Sequence, residues 1–387
     1  MLGMKKKEIY LDNAATTKMD DKVIKVMLPY FDQRYGNASS THSKGREAKE
    51  AMEKARKVIA KSIGASPEEI IFTSGGTESN NFALKGVAFA NKSKGNHIIT
   101  SRIEHDCVLN SCKWLERQGF NVTYMDVDSE GFVSPEALEK AITPQTIIVS
   151  VIHGNNEIGT IQDLKALGAI CRKHNVYFHT DACQSYTKTE LDVKKQNLDL
   201  VTLNAHKIHG PKGVGALYIR KGVNLPAWQH GGGHERNLRS GTENIPGIVG
   251  FAEAVSIAMD SKHVKHMTRL RDKLIDGIEK SIPESKLNGP RGDKRLCNNI
   301  NFVFNRIEGE SIGGYLDLKN ISSSTGSACS SHSLEPSHVL LALGLNKGDA
   351  NGSLRLSLSR FTTEEEIDTV LKELPPIIKK LRMISPL

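Results

Sequence analysis

Short apolar runs, regularly interleaved with helical stretches, constrain this chain more than any other feature. Residues 69–73 (EIIFT), 97–100 (HIIT), 121–125, 146–151, 176–179 and 200–203 each read as a strand. Helical periodicity fills the intervals over 77–90, from the strand at 97–100 on to about Leu115, and over 136–141 and 163–174. Parallel strands need a crossover long enough to hold a helix, so this alternation predicts a mostly parallel sheet covered on both faces. Ligands bind beyond the carboxyl ends of the strands in such sheets. The residues that follow each apolar run are therefore the ones where chemistry is expected.

Beyond about residue 248 the pattern changes. A long helical stretch runs to about 278, followed by a turn-rich segment at 288–293 (NGPRGD) and a strand at 299–304. A Ser/Gly-rich loop at 322–333, a strand at 353–358 and a final helix from about Thr363 complete a smaller α+β lobe. With 387 residues the chain is long for one core. No apolar run approaches the roughly 20 residues of a membrane helix. The start at residues 1–7 (MLGMKKK) lacks the apolar stretch of a secretory signal, so a soluble, cytoplasmic protein is expected.

The formal net charge is +8, but the basic residues are spread out. The only dense runs, 5–7 and 379–382, read as solvated ends, and no nucleic-acid or membrane partner is expected. Six cysteines (Cys107, Cys112, Cys171, Cys183, Cys297 and Cys329) show no C-x-x-C spacing, and no metal site is expected. The first five read as reduced structural thiols.

The segment Ser74-Gly75-Gly76-Thr77-Glu78-Ser79 follows a strand and opens a helix. Two glycines permit a tight turn with exposed N–H groups, the helix start adds a positive dipole end, and Thr77 adds a hydroxyl, as a phosphate cradle requires. Alone, it is equally an ordinary glycine turn with a Thr/Ser cap, and with no Gly-Lys-Ser/Thr following it is not a P-loop. In 176–184 (VYFHTDACQ) Asp181 sits just past a buried strand. A pyridoxal 5′-phosphate (PLP) ring needs an acid that keeps its pyridinium nitrogen protonated. Asp181 is placed for this, and equally for a helix N-cap. In 204–213 (NAHKIHGPKG), directly after the strand at 200–203, Lys207 stands beside a Gly-Pro turn, where a lysine can form a Schiff base with PLP. An isolated lysine there is ordinarily a surface residue, and Lys207 is preferred to Lys212.

A phosphate cradle, a strand-end acid and a strand-end lysine, in that order, resemble the layout of fold-type I PLP enzymes. Residues 10–17 (YLDNAATT), 100–105 (TSRIEH), 155–159 (NNEIG), 205–207 (AHK), 231–236 (GGGHER), 239–244 (RSGTEN), 324–330 (STGSACS) and 334–337 (LEPS) resemble cysteine desulfurases of the NifS/IscS class, in register over nearly the whole chain. The resemblance implies an α/β, fold-type I PLP-dependent transferase. Its large domain, 20–255, holds a mostly parallel seven-stranded sheet. Its smaller α+β domain, 1–19 and 256–387, carries a catalytic cysteine loop at about 322–336.

The same resemblance implies that PLP is bonded to Lys207, that Asp181 pairs with its ring nitrogen, and that His105 stacks on the ring as an acid/base. It implies Asn156 and Gln184 at the ring's O3′ side, and a phosphate held by Gly76, Thr77, Asn204 and His206. The residue matching Thr242 reaches the phosphate from a neighbouring subunit, which implies a homodimer with shared sites. Arg355 clamps the substrate carboxylate, with Asn156 beside it. Related chains commonly carry Ser where this one has Asn204. An amide also donates to phosphate oxygen, so the contact is expected to change and the cofactor to remain.

Cys329 sits among small polar residues without apolar periodicity, and alone it is compatible with an inert buried thiol. The resemblance, which is to the longer-loop group and not to chains with an Arg-x-Gly-His-His-Cys pattern, makes it the nucleophile. It would take sulfur from L-cysteine, leave L-alanine, and pass a persulfide to an iron–sulfur scaffold or another acceptor. Transient iron–sulfur ligation by Cys329 stays open. Selenocysteine lyase and PLP aminotransferase are the alternative activities on this fold. A non-catalytic sulfur-system subunit would have lost Lys207 or a ring partner, and this chain keeps both.

Overall fold

The computed structural model describes residues 8–326 and 336–385, so Cys329 and most of the Ser-rich loop lie outside the described residues. Within them the strands are, in chain order, β1 (Ile9–Tyr10), β2 (Ile70–Thr73), β3 (His97–Ser101), β4 (Asn121–Met125), β5 (Thr146–Ser150), β6 (Tyr177–Asp181), β7 (Leu200–Asn204), β8 (Gly215–Ile219), β9 (Ser285–Leu287), β10 (Asn299–Phe304), β11 (Ile321–Ser322) and β12 (Ser353–Ser357). A seven-stranded sheet has the order β2-β8-β7-β6-β5-β3-β4. From β7 to β4 every pairing is parallel. β8 runs against both β7 and β2, so it alone points the other way.

Side chains on these strands alternate between two buried layers, as the period of two demands. On β8, Ala216 and Tyr218 join the core beneath the helices Ser43–Ser62 and Ile245–Ala258. Leu217 and Ile219 join the opposite core with the helices Gly76–Ala90 and Asp106–Glu116. Burial on both faces is why β2, β5, β7 and β8 are buried along their whole length.

A second core gathers the antiparallel sheet β12-β10-β9 with the helices Ser261–Ser281 and Glu364–Ile384. Ile9 and Leu11 belong to it, and β1 pairs in parallel with β11. Among the described residues no helix is long and apolar enough to cross a membrane.

Two expectations are corrected. The single helix over 248–278 is two, Ile245–Ala258 and Ser261–Ser281, because Asp260 caps the second by accepting from the Lys262 N–H at 3.0 Å. β2 begins at Ile70 and not at Glu69, whose carboxylate turns back to accept from the Ser66 N–H at 2.9 Å in a capping box.

Candidate active site

The carboxyl ends of the parallel strands converge on one region. Asp181 is the last residue of β6 and Asn204 the last of β7, so both lie in the strands that were expected to precede them. The chain after Asp181 forms turns and not a helix, which removes the helix-cap role. The buried Asp181 carboxylate accepts from Asn80 Nδ2 at 2.6 Å and from the Cys183 N–H at 2.9 Å. Asn80 lies one turn into the helix Gly76–Ala90, and its Nδ2 is also 3.1 Å from Cys107 Sγ.

His105 caps the helix Asp106–Glu116. Its Nδ1 accepts from the Cys107 N–H at 3.2 Å and touches Cys107 Sγ at 3.1 Å. An Nδ1 that accepts from a backbone N–H puts the neutral ring's proton on Nε2. Asn80 carried no role in the sequence reading and Cys107 only that of a structural thiol, yet they link Asp181 to His105. The position of Asn80 one helical turn beyond the cradle was the available signal.

Lys207 lies in the turn three residues beyond β7. Its Nζ donates to the carbonyls of Ala14 and Ala15, the latter at 2.7 Å. Gln184 Nε2 donates to the same Ala14 carbonyl at 2.8 Å. The segment 10–17, noted in the sequence without a residue role, therefore holds both side chains.

The cradle is a cleft of ≈ 370 Å³ lined by Gly76, Thr77, His206 and Lys212, among others. Three observations fit a phosphate here. A Cβ on Gly76 would come within 2.6 Å of Cys183 Sγ, so this approach requires glycine. The buried Asn204 side chain brings its Nδ2, a donor to phosphate oxygen, to 3.7 Å from where a Cβ on Gly76 would lie. Lys212 supplies a cation that the sequence reading had set aside in favour of Lys207. His206 meets Thr16 Oγ1 at 3.2 Å, and burial together with the Lys207, Lys212 and Lys188 charges pushes its ring down to about 3, so it stays neutral.

Arg355, on β12, is buried. It donates to the Asn156 carbonyl at 3.1 Å and to Asp12 Oδ1 at 3.0 Å, while its Nε has no partner among the described residues. Asn156 and Arg355 are thus brought together with Asp12, which carried no role in the sequence reading. Thr242 is not brought to this group. It lines an adjoining cavity that shares Ser74 and Gly213 with the cradle cleft. Burial pushes the thiols of Cys112, Cys171, Cys183 and Cys297 upward, so they are protonated and inert at neutral pH.

Behind the site, His179 on β6 contacts Ser150 Oγ at 2.8 Å and Thr202 Oγ1 at 3.1 Å, and His153 is similarly buried. Burial pushes both rings down to about 4. A depressed folded value contributes stability that is present above the ordinary 6.5 and is lost as the pH falls through about 4. Each ring should cost up to about 1.4 kcal/mol per pH unit in that window. The urea midpoint should therefore fall between pH 6.5 and pH 4, and His153→Gln should flatten the slope. Glu104 works in the opposite sense. Burial raises it to about 8, so its contribution is complete below 4.5 and is lost as the pH rises towards 8.

The aminotransferase class-V family profile matches residues 9–370. A cysteine desulfurase IscS from Clostridium botulinum (strain Hall) is 52% identical over 384 residues, covering 98% of this chain and 97% of the relative. A solved structure described as a NifS-like protein superposes with a TM-score of 0.91 at 41% identity, covering 97% of this chain and all of that one. Another, described as SspA in complex with cysteine, gives a TM-score of 0.83 at 38% identity over 92% of this chain and all of its own.

Proposed function

The chain belongs to the class-V aminotransferase family, and from that premise we infer that it is a PLP-dependent cysteine desulfurase of the NifS/IscS type. It takes sulfur from L-cysteine, leaves L-alanine, and carries the sulfur as a persulfide on Cys329. The observation that carries this reading is the pairing of Lys207 with Gln184 on the Ala14 carbonyl, of Asp181 with His105 through Asn80 and Cys107, and of Arg355 with Asn156. The 52% identity to IscS over almost the whole length supports the choice of reaction.

PLP, when bound, supplies an electron sink for the carbanion formed at the substrate's α-carbon. Gly76, Thr77, Asn204, His206 and Lys212 would hold its phosphate, and Asp181 would hold the proton on its ring nitrogen. Lys207 would bond it covalently, and Gln184 would sit beside that lysine on the shared Ala14 carbonyl.

Arg355 binds the substrate carboxylate, using an Nε that has no partner among the described residues. Lys207 accepts the α-proton. His105, with Nδ1 committed to its helix cap, keeps its proton on Nε2 and donates a hydrogen bond from there towards the leaving fragment. The Cys329 thiolate attacks the substrate sulfur, an S–S bond forms as the C–S bond breaks, and the carbon fragment is protonated to alanine. The persulfide then passes to an iron–sulfur scaffold or another acceptor. The protein works in the cytoplasm as a homodimer, with Thr242 serving the neighbouring subunit. That arrangement accounts for its place outside the group within its own chain.

Cys329→Ser should keep the visible cofactor band and stop sulfide release from L-cysteine. Sulfide release at the parent rate would remove Cys329 from the mechanism. Alanine formation that requires a keto acid would instead favour the aminotransferase reading.

A further inference from the structure

We propose that Glu157 ties the two stems of the Cys329 segment together and is thereby a positioning residue for sulfur transfer. This rests on Cys329 being the nucleophile. The Glu157 side chain is almost wholly buried, and Oε2 accepts from Ser337 Oγ at 2.5 Å. A hydroxyl–carboxylate contact of this length is a charge-assisted hydrogen bond, about twice as strong as a neutral one. Ser337 also caps the helix His338–Ala342, accepting from the Val339 and Leu340 N–H groups at 3.2 and 3.3 Å. One hydroxyl therefore fixes both the helix start and its link to Glu157.

The other stem reaches the same carboxylate. A Cβ built on Gly326 would lie 3.5 Å from Glu157 Oε2 and 3.9 Å from the Ser337 Cβ. The chain leaves at Gly326 and returns at Ser337 beside one buried acid, and residues 327–336 span the interval.

The stems are also tied to the site. Ser324 and Arg355 exchange backbone hydrogen bonds of 3.1 and 2.6 Å, and Ser353 Oγ donates to the Thr325 carbonyl at 2.6 Å. His338 Nε2 reaches the Glu104 carbonyl at 2.9 Å, one residue before His105. Glu157 itself follows Asn156, and its carbonyl accepts from Asn299 Nδ2 at 3.0 Å. The stems thus take their register from the backbone of Arg355 and from the neighbours of Asn156 and His105. None of these contacts requires Glu157 to touch substrate or cofactor.

The test compares Glu157→Ala, Ser337→Ala and Glu157→Gln as holoenzymes, by two readouts. The first is the rate at which Cys329 gains one sulfur after a single turnover of L-cysteine, read from the mass of its peptide. The second is the rate of Cys329 alkylation by chloroacetamide without substrate. Glu157→Ala and Ser337→Ala should slow persulfide formation by about tenfold or more. Both should change the alkylation rate by at least about threefold, since misplacement of a supporting contact is felt at the atom it places. The visible cofactor band and cysteine binding should stay unchanged. Glu157→Gln should restore most of the rate, because an amide oxygen still accepts from Ser337. Parent rates in both readouts for both alanine variants would overturn the proposal. So would loss of the cofactor band in Ser337→Ala. Sulfide release by Cys329→Ser would sink the nucleophile reading separately, and the alkylation comparison would still decide whether Glu157 holds the stems.

Discussion

Replacing Lys207 with alanine should lower alanine formation from L-cysteine by about 10⁴-fold or more, the upper range for one positioned base. The structure explains why nothing nearby can substitute. The Lys207 amine is held by the Ala14 and Ala15 carbonyls. Lys212 lines the phosphate cleft instead. Lys188 is committed to the Gln184 carbonyl at 2.8 Å. Lys207→Arg separates charge from basicity, because a guanidinium keeps its proton and cannot accept another. It should be as inactive as the alanine variant. Steady-state alanine release, with the cofactor's visible spectrum as a loading check, reads both. Activity in either variant above about a tenth of the parent would mean that another group takes the proton.

The second large effect concerns stability. Glu235→Ala should cost about 3–5 kcal/mol, the range for removing one partner from a buried ion pair. Glu235 accepts from Arg56 at 2.7 and 2.8 Å, and both side chains are 3% exposed. Its Oε2 also accepts from the Phe72 N–H at 2.7 Å, and the Arg56 guanidinium lies 4.6 Å from the Phe72 ring centre. The alanine variant would leave a guanidinium and a backbone donor buried without that partner. It would also free a strained turn. Glu235, Arg236 and Asn237 have φ of 43°, 58° and 63°, a left-handed run that persists only when its surroundings fix it. Urea unfolding should show the loss as a lower midpoint. An Arg56→Met, Glu235→Met double variant should lose less than the two single changes summed, since neither charge is then stranded. A loss under about 1 kcal/mol for Glu235→Ala would show that water or another group takes over.

The parts of the fold legible in the sequence were those where chemistry and periodicity coincide. β5 and β7 carry apolar residues on both faces, β6 is mostly buried though His179 and Thr180 stand in it, and all three end in polar residues, so their carboxyl ends, and with them Asp181 and the Lys207 turn, stood out. The helix Ser43–Ser62 did not, because half of its buried stripe is alanine (Ala48 and Ala55 beside Met52 and Ile59). β8 was missed for another reason. Its run, Gly215–Ile219, carries no signal of direction, and only the ladders to β7 and β2 show that it is antiparallel to both. In the site, groups that bear chemistry were found, whereas groups that hold them in place were not. Asn80, Asp12 and Glu157 act through partners 101, 343 and 180 residues away. No local pattern encodes such a partnership.

The contacts between the first strand segment and the last sheet strand have a consequence for synthesis. Asn13 Nδ2 donates to the Ser357 carbonyl across 344 residues, the Ala14 N–H donates to the Ser357 hydroxyl, and Asp12 pairs with Arg355. The carbonyls that hold Lys207 thus take their position from a strand made more than 340 residues later. Contacts of such high sequence separation form late. A ribosome-bound chain lacking β12 has neither Arg355, the proposed carboxylate clamp, nor the Ser357 contacts that seat the segment holding the lysine. Sulfur chemistry is therefore expected to begin only once the strand at 355–357 has been made and the segment at residues 12–14 has closed against it.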